Sequence, residues 1–313
     1  MTPFDESARG VYVIAVTPFT PSGTIDFDSV DRMVDFYLAA GATGLTVLGM
    51  MGEAQKLTLD ESRAVVRRVL GRVKGRVPVV VGVSAPGFAQ IQGLTGMVMG
   101  DGASAVMIAP PASLRTDDQI IGYFRQVVDF IGDTPFVLQD FPLATGVQIS
   151  TAVIQHIVQE LASCVCLKHE DWPGLEKISA LRSQGALARR ISILCGNGGT
   201  FLPEEMARGA DGAMTGFAYP EMMVSVVAHH ESGQPERGRD VFDAYLPLAR
   251  FEQQPGLGLA IRKHVLAQRG IIASAALRKP GAALSTDAQQ EVALLIARQE
   301  CRLAELGDSP KAP

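Results

Sequence analysis

Cys164-Val165-Cys166-Leu167-Lys168 is a short apolar run that ends on a lysine, and His169-Glu170-Asp171 follow it directly. The run has the length and character of a buried strand. Side chains alternate between the two faces of a strand. With Lys168 facing the interior of a sheet closed on itself, Cys166 and Cys164 share its face, and Val165 and Leu167 face outward. A lysine closing an otherwise apolar strand is unusual. Burial disfavours the charged amine, and the neutral amine is the form that attacks a carbonyl to give a Schiff base. The same position also suits a lysine that snorkels to a rim or pairs with a carboxylate.

Seven similar runs lie on either side: Val11–Val16, Gly44–Leu48, Val77–Val83, Ala105–Ala109, Pro135–Gln139, Ile191–Cys195 and Gly212–Thr215. Between them lie amphipathic stretches. One is DSVDRMVDFYLAAG, with Val30, Met33, Val34, Tyr37 and Leu38 on one face; another is LDESRAVVRRVLGRV. Strands alternating with helices imply a parallel sheet. Eight units in about 215 residues fit a closed (β/α)8 TIM barrel better than an open doubly wound sheet. Beyond about residue 220 the rhythm changes to helical stretches with no intervening strand. The first of them closes the barrel, and the rest read as a C-terminal helical extension packed on it. The expected division is a barrel over 8–225 and a helical region over 226–306, followed by a frayed tail, GDSPKAP.

Bulk properties narrow the function. The 313 residues carry a net charge of -5 with no Lys/Arg run, which argues against nucleic acid as a partner. Hydrophobic residues make up 47%, enough for a large core. No apolar stretch approaches the roughly 20 residues of a membrane helix, and the N-terminal MTPFDESARG has no apolar signal core. The four cysteines, at 164, 166, 195 and 301, read as reduced thiols of a cytoplasmic protein. Cys164 and Cys166 have no histidine at metal-ligand spacing, so packing is the reading for them and no metal is expected.

In a barrel of this kind the working groups sit at the C-terminal ends of the strands. The second strand ends in Gly49-Met50-Met51-Gly52-Glu53, a turn whose glycines let the backbone approach a ligand and whose amides can hold a carboxylate. The fifth ends in Gln139-Asp140-Phe141-Pro142, where Gln139 or Asp140 could orient a hydroxyl or a water, although Asp140 also suits a turn cap. The seventh and eighth end in Gly196-Asn197-Gly198-Gly199 and Thr215-Gly216. No lysine or arginine follows closely enough there to neutralise a phosphate, so Gly196 and Thr215 are read as lining a substrate cleft. Met50, Met51, Phe141, Leu143 and Ala144 give the mouth an apolar character, which points to a substrate with an apolar tail or to packing against a neighbouring subunit.

Taken together, Val16-Thr17-Pro18-Phe19, Gly49-x-x-Gly52-Glu53-Ala54, Gly82-Val83, Ala109-Pro110-Pro111, Pro142 with Thr145-Gly146-Val147, Lys168 and Gly209-Ala210-Asp211-Gly212 resemble the N-acetylneuraminate lyase and dihydrodipicolinate synthase superfamily. The resemblance covers residues 10–300. It implies a (β/α)8 barrel, a lysine that forms an imine with pyruvate or another 2-oxo acid, a homo-oligomer (tetramer or dimer), and no metal or organic cofactor. The departures are specific. Gln139 stands where the family has a catalytic tyrosine. Met50 and Met51 stand where dihydrodipicolinate synthases have two threonines. Ala112-Ser113 replace a tyrosine after the Pro-Pro pair, and Leu143-Ala144 replace an arginine after Pro142. These losses argue against lysine biosynthesis. The strings Gln139-Asp140-x-Pro142 and Gly212-Ala213-Met214-Thr215-Gly216 are similar to the branch containing 2-keto-3-deoxy-L-arabonate dehydratase, although that branch differs at the Gly49–Glu53 turn.

The expectation is therefore a Schiff-base lyase. Lys168 attacks C2 of a 2-oxo-3-deoxy sugar acid, the Met50 and Met51 amides hold its carboxylate, and a water on Gln139, the Asp140 carboxylate or the substrate's own carboxylate carries the proton as water is eliminated. An aldolase releasing pyruvate from the same imine is the alternative, and a non-catalytic 2-oxo-acid-binding barrel is the alternative of another class.

Overall fold

The computed structural model describes residues 2–307 with the exception of residue 173, so residues 308–313 of the expected tail lie outside the described residues. Eight parallel strands close into a barrel in chain order: β1 Gly10–Ile14, β2 Gly44–Val47, β3 Val79–Gly82, β4 Ala105–Ile108, β5 Phe136–Asp140, β6 Cys164–His169, β7 Ser192–Cys195 and β8 Gly212–Thr215. β1 pairs with β8 from Gly10 against Gly212 to Val13 against Thr215, which seals the ring. Each strand falls within a few residues of its sequence reading. β1 and β3 are shorter than expected, ending at Ile14 and beginning at Val79.

Two apolar layers hold the barrel. Tyr12, Ile14, Val80, Ala105, Met107, Val137, Leu194 and Met214 fill the inside. The outward residues of the same strands pack on the surrounding helices. The helix Phe27–Ala39 shows how the sequence sets this up. Asp26 caps it by accepting from the Ser29 amide, and Val30, Met33, Val34 and Tyr37 are buried on one face. Thr58 with Glu61, and Thr116 with Gln119, close capping boxes on the helices Leu59–Val73 and Asp117–Ile131.

One strand departs from simple alternation. The register of β5 against β6 shifts between Phe136 and Val137, so that Phe136 faces Cys164 and Val137 faces Cys166. Val165 sits in this irregularity. Val165 and Cys166 both join the interior cluster, while Cys164 turns to the helical layer. The expected shared face of Cys164 and Cys166 is therefore wrong, whereas Cys166 and Lys168 do share one. A bulge inserts an extra residue and resets the phase of everything before it.

The C-terminal helices Pro235–Glu252, Gly258–Gln268 and Thr286–Glu305 follow the barrel-closing helix Pro220–Glu231. Two consecutive residues pin the second of them across the open end of the barrel. Arg262 binds Glu252 and the Gly216 carbonyl after β8. Lys263, fully buried, donates to Glu53 Oε1 at 2.6 Å, the Thr17 carbonyl at 2.8 Å and the Ala276 carbonyl at 3.0 Å. Burial pulls the Lys263 ammonium below its ordinary range and its bond to Glu53 opposes that. Glu53 also takes Lys56 and the Arg278 amide on Oε2.

Removing one partner of a buried pair leaves a bare charge, at a cost of about 3–5 kcal/mol. Glu53→Ala is expected to lower the unfolding free energy measured by urea titration by an amount in that range, and the midpoint with it. A midpoint equal to that of the unaltered protein would remove this clamp from the stability of the fold.

Candidate active site

The inward side chains at the C-terminal ends of β5 and β6 are Gln139 and Lys168, which face each other in register. Lys168 is 5% exposed. Its Nζ lies 2.7 Å from Glu170 Oε2, and Gln139 Nε2 donates to the same oxygen at 2.8 Å. Glu170 is as buried as the lysine. A buried ammonium requires such a partner. The carboxylate fits because Gly196 follows β7. A Cβ at that position would stand 2.1 Å from Glu170 Cγ, so any larger residue would push the carboxylate off the amine. The Asn197 side chain steadies the same segment by donating to the Glu170 carbonyl at 3.2 Å.

Gln139, Lys168, Glu170 and Asn197 line a cavity at the barrel mouth, together with Gly49, Met50, Met51, Phe141, Thr215 and Gly216. A second hollow shares Gly49, Met50 and Gln139 with it and runs out past Ser84 and Met107. Met50–Gly52 forms one turn of 3₁₀ helix after β2. Its bonds are Gly52 N–H to Gly49 and Glu53 N–H to Met50, which leaves the amides of Met50 and Met51 without an acceptor inside the turn.

Of the residues singled out in the sequence, Lys168, Gln139, Gly49, Met50, Met51 and Thr215 meet at this cavity. Four do not line it. Asp140 follows Gln139 on the opposite face of β5. Its carboxylate is fully buried in the helical layer, 2.8 Å from Lys177 Nζ and 3.7 Å from His169 Nδ1. It fastens the helix Leu175–Arg182 and cannot serve the cavity. Glu53 turns away to Lys263. Gly52 offers its carbonyl to the Thr17 hydroxyl at 2.6 Å. Gly196 acts from beneath, by making room for Glu170. Leu143 and Ala144 are solvent-exposed, so the apolar lining reduces to Ile14, Met50, Met51 and Phe141.

Sequence reading gave Glu170 no specific part and passed over Arg262 and Gln253, which also reach the cavity. Glu170 had a local signal, since it follows Lys168 by two residues and so shares its side of the chain. Arg262 and Gln253 had none, because they arrive from helices far along the chain.

A model of the dihydrodipicolinate synthetase family matches residues 7–299. The chain belongs to the dihydrodipicolinate synthetase family. It is an enzyme of the lyase class that this family comprises. The non-catalytic alternative is thereby set aside. An L-2-keto-3-deoxyarabonate dehydratase of Azospirillum brasilense is 30% identical over 93% of this chain and 94% of its own. A 4-hydroxy-tetrahydrodipicolinate synthase of Sorangium cellulosum is also 30% identical, over 94% and 96%. A crystal structure described as dihydrodipicolinate synthase from Rhodopseudomonas palustris is 52% identical, with a TM-score of 0.92, over 95% of this chain and all of that one.

Beside Lys168, Asn197 and Asp171 also border a smaller hollow whose rim is Trp172 and Phe201, in edge contact at 4.7 Å. Its floor is Glu205, whose carboxyl burial pushes up to about 8 from an ordinary 4.5. Between those values the folded protein keeps a proton that the unfolded chain releases. The stabilisation is complete below pH 4.5 and is lost as pH rises through about 8, at up to about 1.4 kcal/mol per unit. Glu205→Gln has no such loss. Its urea midpoint is expected to draw ahead of that of the unaltered protein from pH 5 to pH 8, whereas parallel curves would show that Glu205 titrates normally.

Proposed function

We propose that this protein is a Schiff-base dehydratase of a 2-oxo-3-deoxy sugar acid, with Lys168 as nucleophile and Glu170 as the proton carrier. The observation that carries this reading is the single oxygen of Glu170 shared by the Lys168 amine and the Gln139 amide. An amide does not titrate near neutrality, so Gln139 positions and Glu170 exchanges the proton. The family's tyrosine is absent from β5, and a carboxylate from the loop after β6 stands against the amine in its stead.

In the sequence proposed, Glu170 takes a proton from the ammonium and the free Nζ adds to C2. The added nitrogen passes one proton to the C2 oxygen and Glu170 returns the one it took, so that oxygen leaves as water and gives the protonated imine with Glu170 again a carboxylate. The imine draws electrons from the C3–H bond, Glu170 accepts that proton, and the C4 hydroxyl departs as water with a proton returned by Glu170. Addition of water at C2 then frees the product and the lysine. The Met50 and Met51 amides are placed for the C1 carboxylate. General acid–base help of this kind contributes typically 10²–10⁴-fold.

The dehydratase name of the Azospirillum relative supports this reading. The synthase names of the other two favour a second, in which a C3–C4 bond is made or broken on the same imine. The methionines at 50 and 51, Gln139 at the tyrosine position and Leu143-Ala144 after Pro142 weigh against it. Exposed Trp172, Phe201 and Leu143 are apolar side chains that a second copy of the chain can cover, in keeping with a homo-oligomer. Unpaired thiols at all four cysteines suit a reducing compartment, the cytoplasm.

Incubation with pyruvate, reduction with borohydride and peptide mass spectrometry are expected to place a pyruvyl-sized adduct on Lys168, with none in Lys168→Ala. No adduct with pyruvate or longer 2-oxo acids would overturn the imine. Turnover of 2-oxo-3-deoxy sugar acids without pyruvate release marks the dehydratase, and pyruvate release marks the aldolase.

A further inference from the structure

The cavity has a polar end that the imine chemistry leaves unused. Arg262 is 1% exposed. Its Nε donates to Glu252 Oε1 at 2.5 Å and its Nη2 donates to the Gly216 carbonyl. Its Nη1 is buried and finds no acceptor among the described residues. Gln253 Nε2, one residue past Glu252, is in the same condition. Both side chains line the cavity that holds Lys168. An N–H cut off from water with no acceptor costs about 1–3 kcal/mol, and more when charged. Two of them converging on one cavity mark a place made for something that accepts hydrogen bonds.

The backbone has been cleared for both. A Cβ on Gly216 would stand 2.1 Å from Arg262 Nη1, and one on Gly198 would stand 2.0 Å from Gln253 Nε2. Glycines in the loops after β7 and β8 thus admit two donors from the C-terminal region into the barrel mouth.

We infer that Arg262 Nη1 and Gln253 Nε2 form a subsite for a second carboxylate at the end of the substrate remote from C2, which makes the substrate a 2-oxo diacid. The inference rests on the Lys168 imine reading and names the tail that this reading leaves open. A carboxylate is acceptor-only and its two oxygens can take both donors. A sugar hydroxyl would bring a hydrogen that needs an acceptor of its own, and the carboxylate bonded to Arg262, Glu252, is already engaged by it and by the Ala218 amide. A phosphate would bring more charge and more acceptor oxygens than these two donors can match. The C1 carboxylate has the free amides of the Met50–Gly52 turn and does not need this end.

The test is borohydride trapping at Lys168 with pyruvate, with 2-oxohexanoate, whose tail is neutral, and with 2-oxoglutarate and 2-oxoadipate, whose tails end in a carboxylate. The unaltered protein is expected to half-saturate with at least one diacid at a concentration about tenfold or more below that for 2-oxohexanoate. That preference is expected to fall about tenfold in Gln253→Glu, which sets a like charge against the tail, and in Arg262→Lys, which shortens the donor. A pyruvate adduct in each variant reports an intact barrel; if Arg262→Lys gives none, Gln253→Glu decides. Trapping of 2-oxohexanoate as readily as both diacids would overturn the subsite while leaving Lys168 in its role. A diacid preference that survives the substitutions would overturn its assignment to these residues. No pyruvate adduct on the unaltered protein would remove the imine reading, and the subsite with it.

Discussion

A lysine amine at the end of an apolar strand is tolerable in this barrel because a carboxylate lies 2.7 Å from it. Taking an ammonium out of water costs several kcal/mol unless a partner and further hydrogen bonds compensate. Glu170 is that partner, and it is itself held by Gln139 from the next strand. Much of the local sequence follows from this one contact. β6 must run on past Lys168 to His169 to bring Glu170 over the mouth. β7 must be followed by a glycine to leave room for it. β5 must present opposite Lys168 a residue that donates to a carboxylate, and Gln139 does so.

The same contact links structure to chemistry. In the proposed mechanism a carboxylate bonded to the amine sits where protons must arrive and leave during imine formation, loss of the C3 proton and hydrolysis. A pair that keeps the folded lysine paired is thereby also one that can neutralise it for attack. The C-terminal helices complete the arrangement. Through Arg262 and Lys263 they tie the β8 loop on one side to the β1 and β2 loops on the other. The cavity is therefore walled by elements from both halves of the chain, and its polar end depends on how well those helices are seated.

How much of this could be read from the sequence differs by kind of information. The strands were legible because each is a compact apolar run bounded by turn residues, and Lys168 and Gln139 stood out as polar groups at strand ends. The alternation that put Gln139 inward also required Asp140 to face outward, so its removal from the site was available in the sequence and was not drawn. The phase of Cys164 was not available, because the bulge at Val165 depends on how β5 and β6 register. Glu53 lay in a motif that reads as substrate-binding, yet its partner is Lys263, far along the chain. Arg262 and Gln253 carry no local signal at all, since their burial and aim are properties of the assembled barrel.

The most direct measurement is exchange of the pyruvate methyl hydrogens with deuterated water, followed by proton NMR, in the unaltered protein and in Glu170→Gln. Exchange requires the imine and then removal of a C3 proton, so it isolates the step assigned to Glu170. The expected result is steady exchange in the unaltered protein, with a Glu170→Gln variant that still forms the reducible Lys168 adduct but exchanges about 10²–10⁴-fold more slowly. Exchange at an undiminished rate in Glu170→Gln would contradict the central claim and would assign the proton to another group.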